Sequence, residues 1–78
     1  MKIKFQLIED VIKFTTACEK HYKGLVFAEQ NEQKINAKSL LAIYILDLSK
    51  PIYVHIDTDN KNEKDDFYNF VEQWKVED

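Results

Sequence analysis

The chain contains no arginine, and only one cysteine, one glycine and one proline. Each shortage excludes something. Without arginine there is no bidentate fork to read guanine, and eleven lysines against fourteen carboxylates leave a net charge of -3, so nucleic acid is not an expected partner. Cys18 cannot form an internal disulfide, which fits a reducing, cytoplasmic setting. One glycine cannot build a phosphate-cradling loop. No apolar run approaches the ~18 residues of a membrane span. The start, MKIKFQLIEDV, carries acids directly after a few alternating residues and reads as no signal peptide.

What is present is enough for one domain. The chain has 78 residues, of which 45% are apolar, sufficient for one core but not for a core beside a deep enzyme cleft. Charge is uneven. Residues 1–39 carry +2 and residues 40–78 carry -5. On a surface this small the asymmetry is within ordinary scatter.

Ile3, Phe5 and Leu7 alternate with Lys2, Lys4 and Gln6, which predicts a strand with one wet face. The period then changes. Val11, Thr15, Cys18 and Tyr22 recur at helical spacing, predicting an amphipathic helix over 9–22. Glu9 and Asp10 open it and Lys20, His21 and Lys23 close it, as the helix dipole favours. Gly24 is expected to stop this helix with a positive φ. Strands over 25–29 and 34–38 follow, joined by a polar turn in which Asn31 can be left-handed. The run Leu40 to Leu46 is apolar throughout; Ser39 before it is a good N-cap, so a short helix is expected. Ile52, Val54 and Ile56 mark a fourth strand. A last helix is expected from a cap at Asn62, with Phe67, Phe70, Val71 and Trp74 on its apolar side. The order is β-α-β-β-α-β-α, an α+β, two-layer α/β sandwich in which helices cover one face of an antiparallel sheet.

The residues offer little catalysis. His21 and His55 have no partners at ligand spacing, and zinc needs about four ligands. Cys18 lies on the apolar stripe of its helix, where a thiol is buried and inert. The stretch Asp57 to Glu63 superficially resembles a calcium loop, but Lys61 occupies a ligand position and the central glycine is missing. No metal, no cofactor and no catalytic residue is expected. Six large apolar residues crowd positions 40–46, more than a short helix can bury, so part of the run should face water or a protein partner, with Tyr44 as anchor.

The segment Ile35-Asn36-Ala37-Lys38-Ser39-Leu40-Leu41-Ala42-Ile43 resembles the regulatory-serine segment of HPr, the histidine-containing phosphocarrier protein of the bacterial sugar phosphotransferase system. The length and the element order are similar to HPr as well. The resemblance implies an open-faced β-sandwich with four antiparallel strands. HPr proteins carry phosphate on a histidine in a Gly-Leu-His-Ala-Arg-Pro segment opening the first helix. The matching positions here are Ile8, Glu9, Asp10 and Val11, and the preceding loop is shorter. Imidazole and arginine are both missing, and two acids stand where phosphate must be attracted. The resemblance therefore implies a degenerate acceptor position at Ile8 and no phosphocarrier activity.

Ser39 matches the serine that a dedicated kinase phosphorylates in Gram-positive members, after which the protein docks onto a transcriptional regulator of sugar catabolism. By the same resemblance Leu40, Leu41 and Tyr44 match the apolar docking patch, and Lys38 stands beside the serine. Ala42 departs from the glycine the family has after the apolar pair. The expected function is thus non-catalytic docking to a phosphotransferase-system enzyme or a regulator. The alternatives are phosphotransfer through an atypical residue such as His21, and an assembly protein that dimerises through Leu41 and Tyr44.

Overall fold

The computed structural model describes residues 1–77. Eight elements follow one another, beginning with β1 (Lys2–Ile3), α1 (Ile8–His21), β2 (Leu25–Gln30) and β3 (Gln33–Asn36). The short α2 (Leu40–Ile43), β4 (Ile52–Asp57), α3 (Lys61–Val71) and a closing 3-10 turn (Glu72–Trp74) complete the order. The four strands form one antiparallel sheet in the order β1-β4-β2-β3. The helices pack on one of its faces. The molecule is a small α+β domain of two layers.

The layers meet because alternate sheet residues and one stripe of each helix are apolar. Val54 and Ala28 are fully buried from the sheet, as are Phe14 and Cys18 of α1, Ile43 of α2, and Phe67 and Val71 of α3. Phe5, Phe14 and Trp74 close one end of this core, with Phe5 5.4 Å from Phe14 and 5.2 Å from Trp74 between ring centroids. Such tilted and edge-on pairs add about 1 kcal/mol each to the burial of their area.

The first strand is shorter than alternation predicts. The expected run to Leu7 ends at Ile3. After the Ile3–Ile52 pair the ladder with β4 ends, and the Lys4 backbone turns to the C-terminal segment. The Lys4 N–H bonds instead to the Trp74 carbonyl at 3.0 Å. Leu7 is not a strand residue; it is the N-cap of α1 and is 61% exposed. The Asp10 carboxylate accepts the Leu7 N–H at 3.1 Å, supplying half of a capping box.

Gly24 also differs from expectation. No glycine has a positive φ, and α1 ends with Tyr22 already extended. Glycine is needed there for space. A Cβ at position 24 would lie 2.8 Å from both the Asp57 carbonyl oxygen and the Thr58 Cβ. The hairpin turn is as expected at Asn31 (φ 49°), and Glu32 (φ 68°) joins it in the left-handed region. That makes a two-residue type I′ turn between Gln30 and Gln33.

The strand expected over 34–38 spans Gln33–Asn36. The last helix is capped by Asn60, not Asn62. The Asn60 side chain accepts the Glu63 N–H at 3.0 Å. Glu63 lies in the first turn, where its carboxylate accepts the N–H groups of Lys23 (2.8 Å) and Gly24 (3.1 Å). The calcium-like stretch is therefore a strand end, a turn and a helix start. No helix among the described residues is long and apolar enough to cross a membrane.

Candidate functional site

The segment after Asn36 is built around Ser39. Its N–H bonds to the Asn36 carbonyl at 3.2 Å, and its Oγ accepts the Ala42 N–H at 3.2 Å. Extended at Ser39 (φ -102°, ψ 114°), the chain enters α2, which lasts only four residues. It then tightens: Ile45 and Leu46 donate to the carbonyls three residues back, Ala42 and Ile43. Ile43 and Leu46 point inward and are buried. Leu41, Tyr44 and Ile45 point outward, and Leu41 is 85% exposed.

Lys38 stands beside Ser39 in sequence but works elsewhere. Its ammonium donates to the Tyr22 carbonyl at 2.6 Å, at the end of α1. There it meets the negative pole of the α1 dipole. It is a tie between the segment before α2 and the end of α1.

Next to α2 lies a groove of about 500 Å3. Phe5, Leu7, Ile8 and Val11 form one wall; Tyr44, Leu46 and Leu48 form the other; Lys4 and Asp47 stand at its rim. The second wall is held firmly. The Gln30 side-chain amide donates to the Asp47 carbonyl at 2.8 Å and accepts the Asp47 N–H at 2.7 Å. The Asp47 carboxylate accepts both the hydroxyl and the N–H of Ser49, which holds it below the usual carboxylate range. Ile8 is the first residue of α1, is 59% exposed, and lines the same groove as Tyr44.

Thus Ile8 and Tyr44 share one groove, and Leu41 and Ile45 are exposed on α2 and the turn that follows it. Among the described residues, six of the nine large exposed apolar side chains lie on α2 with its following turn or at the start of α1. That concentration separates a patch from the scattered apolar residues of any surface. Leu7 and Leu48 belong to the patch although sequence reasoning did not single them out for it. For Leu7 the signal was available: an apolar pair followed directly by Glu9 and Asp10 marks a helix start as readily as a strand end.

The remaining titratable residues do not gather here. His21 is exposed at the far end of α1, roughly 20 Å from Ile8 at 1.5 Å per residue. His55 lies on the opposite, open face of the sheet, its ring 5.2 Å from that of Phe27. Cys18 is fully buried, and burial pushes its thiol up to about 12. Tyr22, packed against Phe67 and Phe70, donates its hydroxyl to Asp66 at 2.9 Å. Burial, then that hydrogen bond, raises its ionisation far above the ordinary tyrosine value.

Comparison with protein-family models, with curated proteins and with solved structures finds no match to this chain.

Proposed function

We propose that this chain is a non-catalytic, HPr-like docking protein whose partner is an enzyme of the sugar phosphotransferase system or a transcriptional regulator of sugar catabolism. The observation that carries the reading is the meeting of Ile8 and Tyr44 on one groove. The resemblance assigns the phosphoacceptor position to Ile8 and the docking patch to Leu40, Leu41 and Tyr44. A surface that lost its imidazole while keeping a continuous apolar patch is suited to binding and not to carrying phosphate. Hydrocarbon at Ile8 and the carboxylates of Glu9 and Asp10 oppose phosphate at the start of α1.

Ser39 is the residue through which such docking would be regulated, since a phosphate on its Oγ would place up to two negative charges directly before Leu40. Phosphotransfer through His21 is the weaker reading, because that imidazole is remote from the patch.

The test uses the isotopically labelled chain titrated with the general phosphotransferase and, separately, with the catabolite regulator. Amide shifts at Leu7, Ile8, Leu41 and Tyr44 are expected with at least one of them, with no phosphohistidine formed from phosphoenolpyruvate. Shifts with neither protein, or a phosphohistidine, overturn the proposal.

A further inference from the structure

We propose that a second groove, between α1 and α3, is a binding site for small arylalkylamines, with the ligand's ammonium on Asp66 and its ring against Ile12, Ala17 and Phe70. This groove of about 650 Å3 shares no lining residue with the one beside α2, so the inference stands apart from the docking reading. Small-molecule sites usually measure ~300–1,000 Å3. The α1 wall is one helical stripe that includes Ile12, Thr16, Ala17 and His21. Ile12 is apolar yet 47% exposed, and the single methyl of Ala17 leaves room that a longer side chain would take. The α3 wall is Asp66 and Phe70. They stand at i and i+4, which puts their Cβ atoms about 5–6 Å apart. A carboxylate and a ring so spaced match a ligand whose ammonium and ring are joined by two carbons.

The Asp66 carboxylate is set before contact. Its Oδ2 accepts the Tyr22 hydroxyl at 2.9 Å, and the Tyr22 ring is buried edge-on to Phe67 at 5.4 Å between centroids. Fixing the carboxylate in this way lowers the ordering cost of binding. Among the described residues no hydrogen bond or ion pair engages the other oxygen, Oδ1. The charges select the sign of the ligand. Two carboxylates, Glu9 and Asp66, stand against one lysine, Lys13, which leaves the lining at -1 with His21 neutral. The Lys13 ammonium is also drawn aside. It donates to the Gln73 side-chain oxygen at 3.1 Å and leans over the Trp74 ring at 6.0 Å, and neither residue lines the groove. An anionic ligand would meet Asp66 with no lysine free to offset it. A cation meets a carboxylate with aromatic rings beside it, which add their own attraction.

The test is NMR titration of the isotopically labelled full chain with three probes of similar size: phenethylamine, phenylacetate and phenylethanol, at neutral pH and fixed salt. Saturable shifts of the Ile12 and Ala17 methyls and of the Asp66 and Phe70 amides are expected with the amine. It should bind at least about threefold tighter than either other probe. Asp66→Asn keeps an oxygen for the Tyr22 hydroxyl, so it folds, as circular dichroism checks, and it should bring the amine level with the alcohol. Asp59→Asn removes the same charge from an exposed turn outside the groove and should leave the preference in place. Ile12→Gln, at a half-exposed position, should weaken all three probes. The proposal is overturned by an amine that gives no saturable shift, or that binds no better than phenylacetate or the alcohol. A preference that survives D66N or vanishes in D59N overturns it too, as does binding indifferent to I12Q. The ranking of the three probes is read on the unaltered chain, so it decides the matter even where D66N fails to fold.

Discussion

The Lys38 ammonium donates a hydrogen bond of 2.6 Å to the carbonyl of Tyr22, joining the end of α1 to the segment that leads into α2. A hydrogen bond from a charged donor to a carbonyl is stronger than a neutral one, and this donor is partly shielded from water. Lys38→Met is expected to destabilise the fold by about 1 kcal/mol. Urea denaturation checks this through a lower midpoint at an unchanged slope. If the same variant weakens partner binding while leaving stability intact, the ammonium belongs to the patch and not to α1.

Gly24 is expected to resist substitution for reasons of space. With Asp57 backbone 2.8 Å from where a Cβ would stand, Gly24→Ala must push β4 away from β2 or displace Thr58. Overpacking of this kind costs about 1–3 kcal/mol. Thermal denaturation should show the loss. A neutral or stabilising Gly24→Ala would mean that the α1–β2 connection relaxes freely.

Acid should weaken the same junction. Hydrogen bonds from the Lys23 N–H, the Thr58 hydroxyl and the Gly24 N–H hold the Glu63 carboxyl below its ordinary value of 4.5. The unfolded chain therefore binds the proton more readily than the folded one. The contribution of Glu63 is complete above that ordinary value and disappears as pH falls through the lower folded value. Asp47, lowered by Ser49, behaves in the same sense from 3.8. Stability measured by denaturant against pH should fall below about 4.5, and Glu63→Gln should flatten part of that fall. An identical slope in the variant would remove Glu63 from the account.

Ser39→Ala should cost about 1 kcal/mol, the usual worth of a hydroxyl N-cap. The Ala42 N–H loses its acceptor in that variant. Calorimetry gives the stability, and the amide shifts of Leu41 to Ile43 report fraying of α2. A variant as stable as the original would show that water caps the helix equally well.

Cys18 should be silent to thiol reagents. It is fully buried, and its thiol is pushed up to about 12, so almost no thiolate exists in the folded protein at neutral pH. A chromogenic disulfide reagent is expected to react only after denaturant is added. Rapid labelling of the native chain would reveal local opening of α1 against the sheet.

The parts of the fold legible in the sequence are those governed by repeating side-chain periods. The i, i+4, i+7 spacing of Val11, Thr15 and Cys18 placed α1 within a residue or two, and Ile52, Val54 and Ile56 placed β4. Ser39 was legible as a cap because a hydroxyl before an apolar run has few other uses. Gly24 was misread because a glycine announces missing side-chain volume without saying whether φ or a neighbour demands it. The short β1 was hidden because the Lys4 N–H bonds to the Trp74 carbonyl, far along the chain, and not to β4. The groove was hidden for the same kind of reason. Its walls come from residues 4–11 and 44–49, and no period in a single segment reveals which distant segment will stand opposite.

The pairing of Ile3 with Lys75, backed by the Val76 N–H on the Lys2 carbonyl at 3.0 Å, covers the outer border of the sheet. With that segment peeled away, β1 presents unpaired backbone groups, and a neighbouring chain can add a strand there.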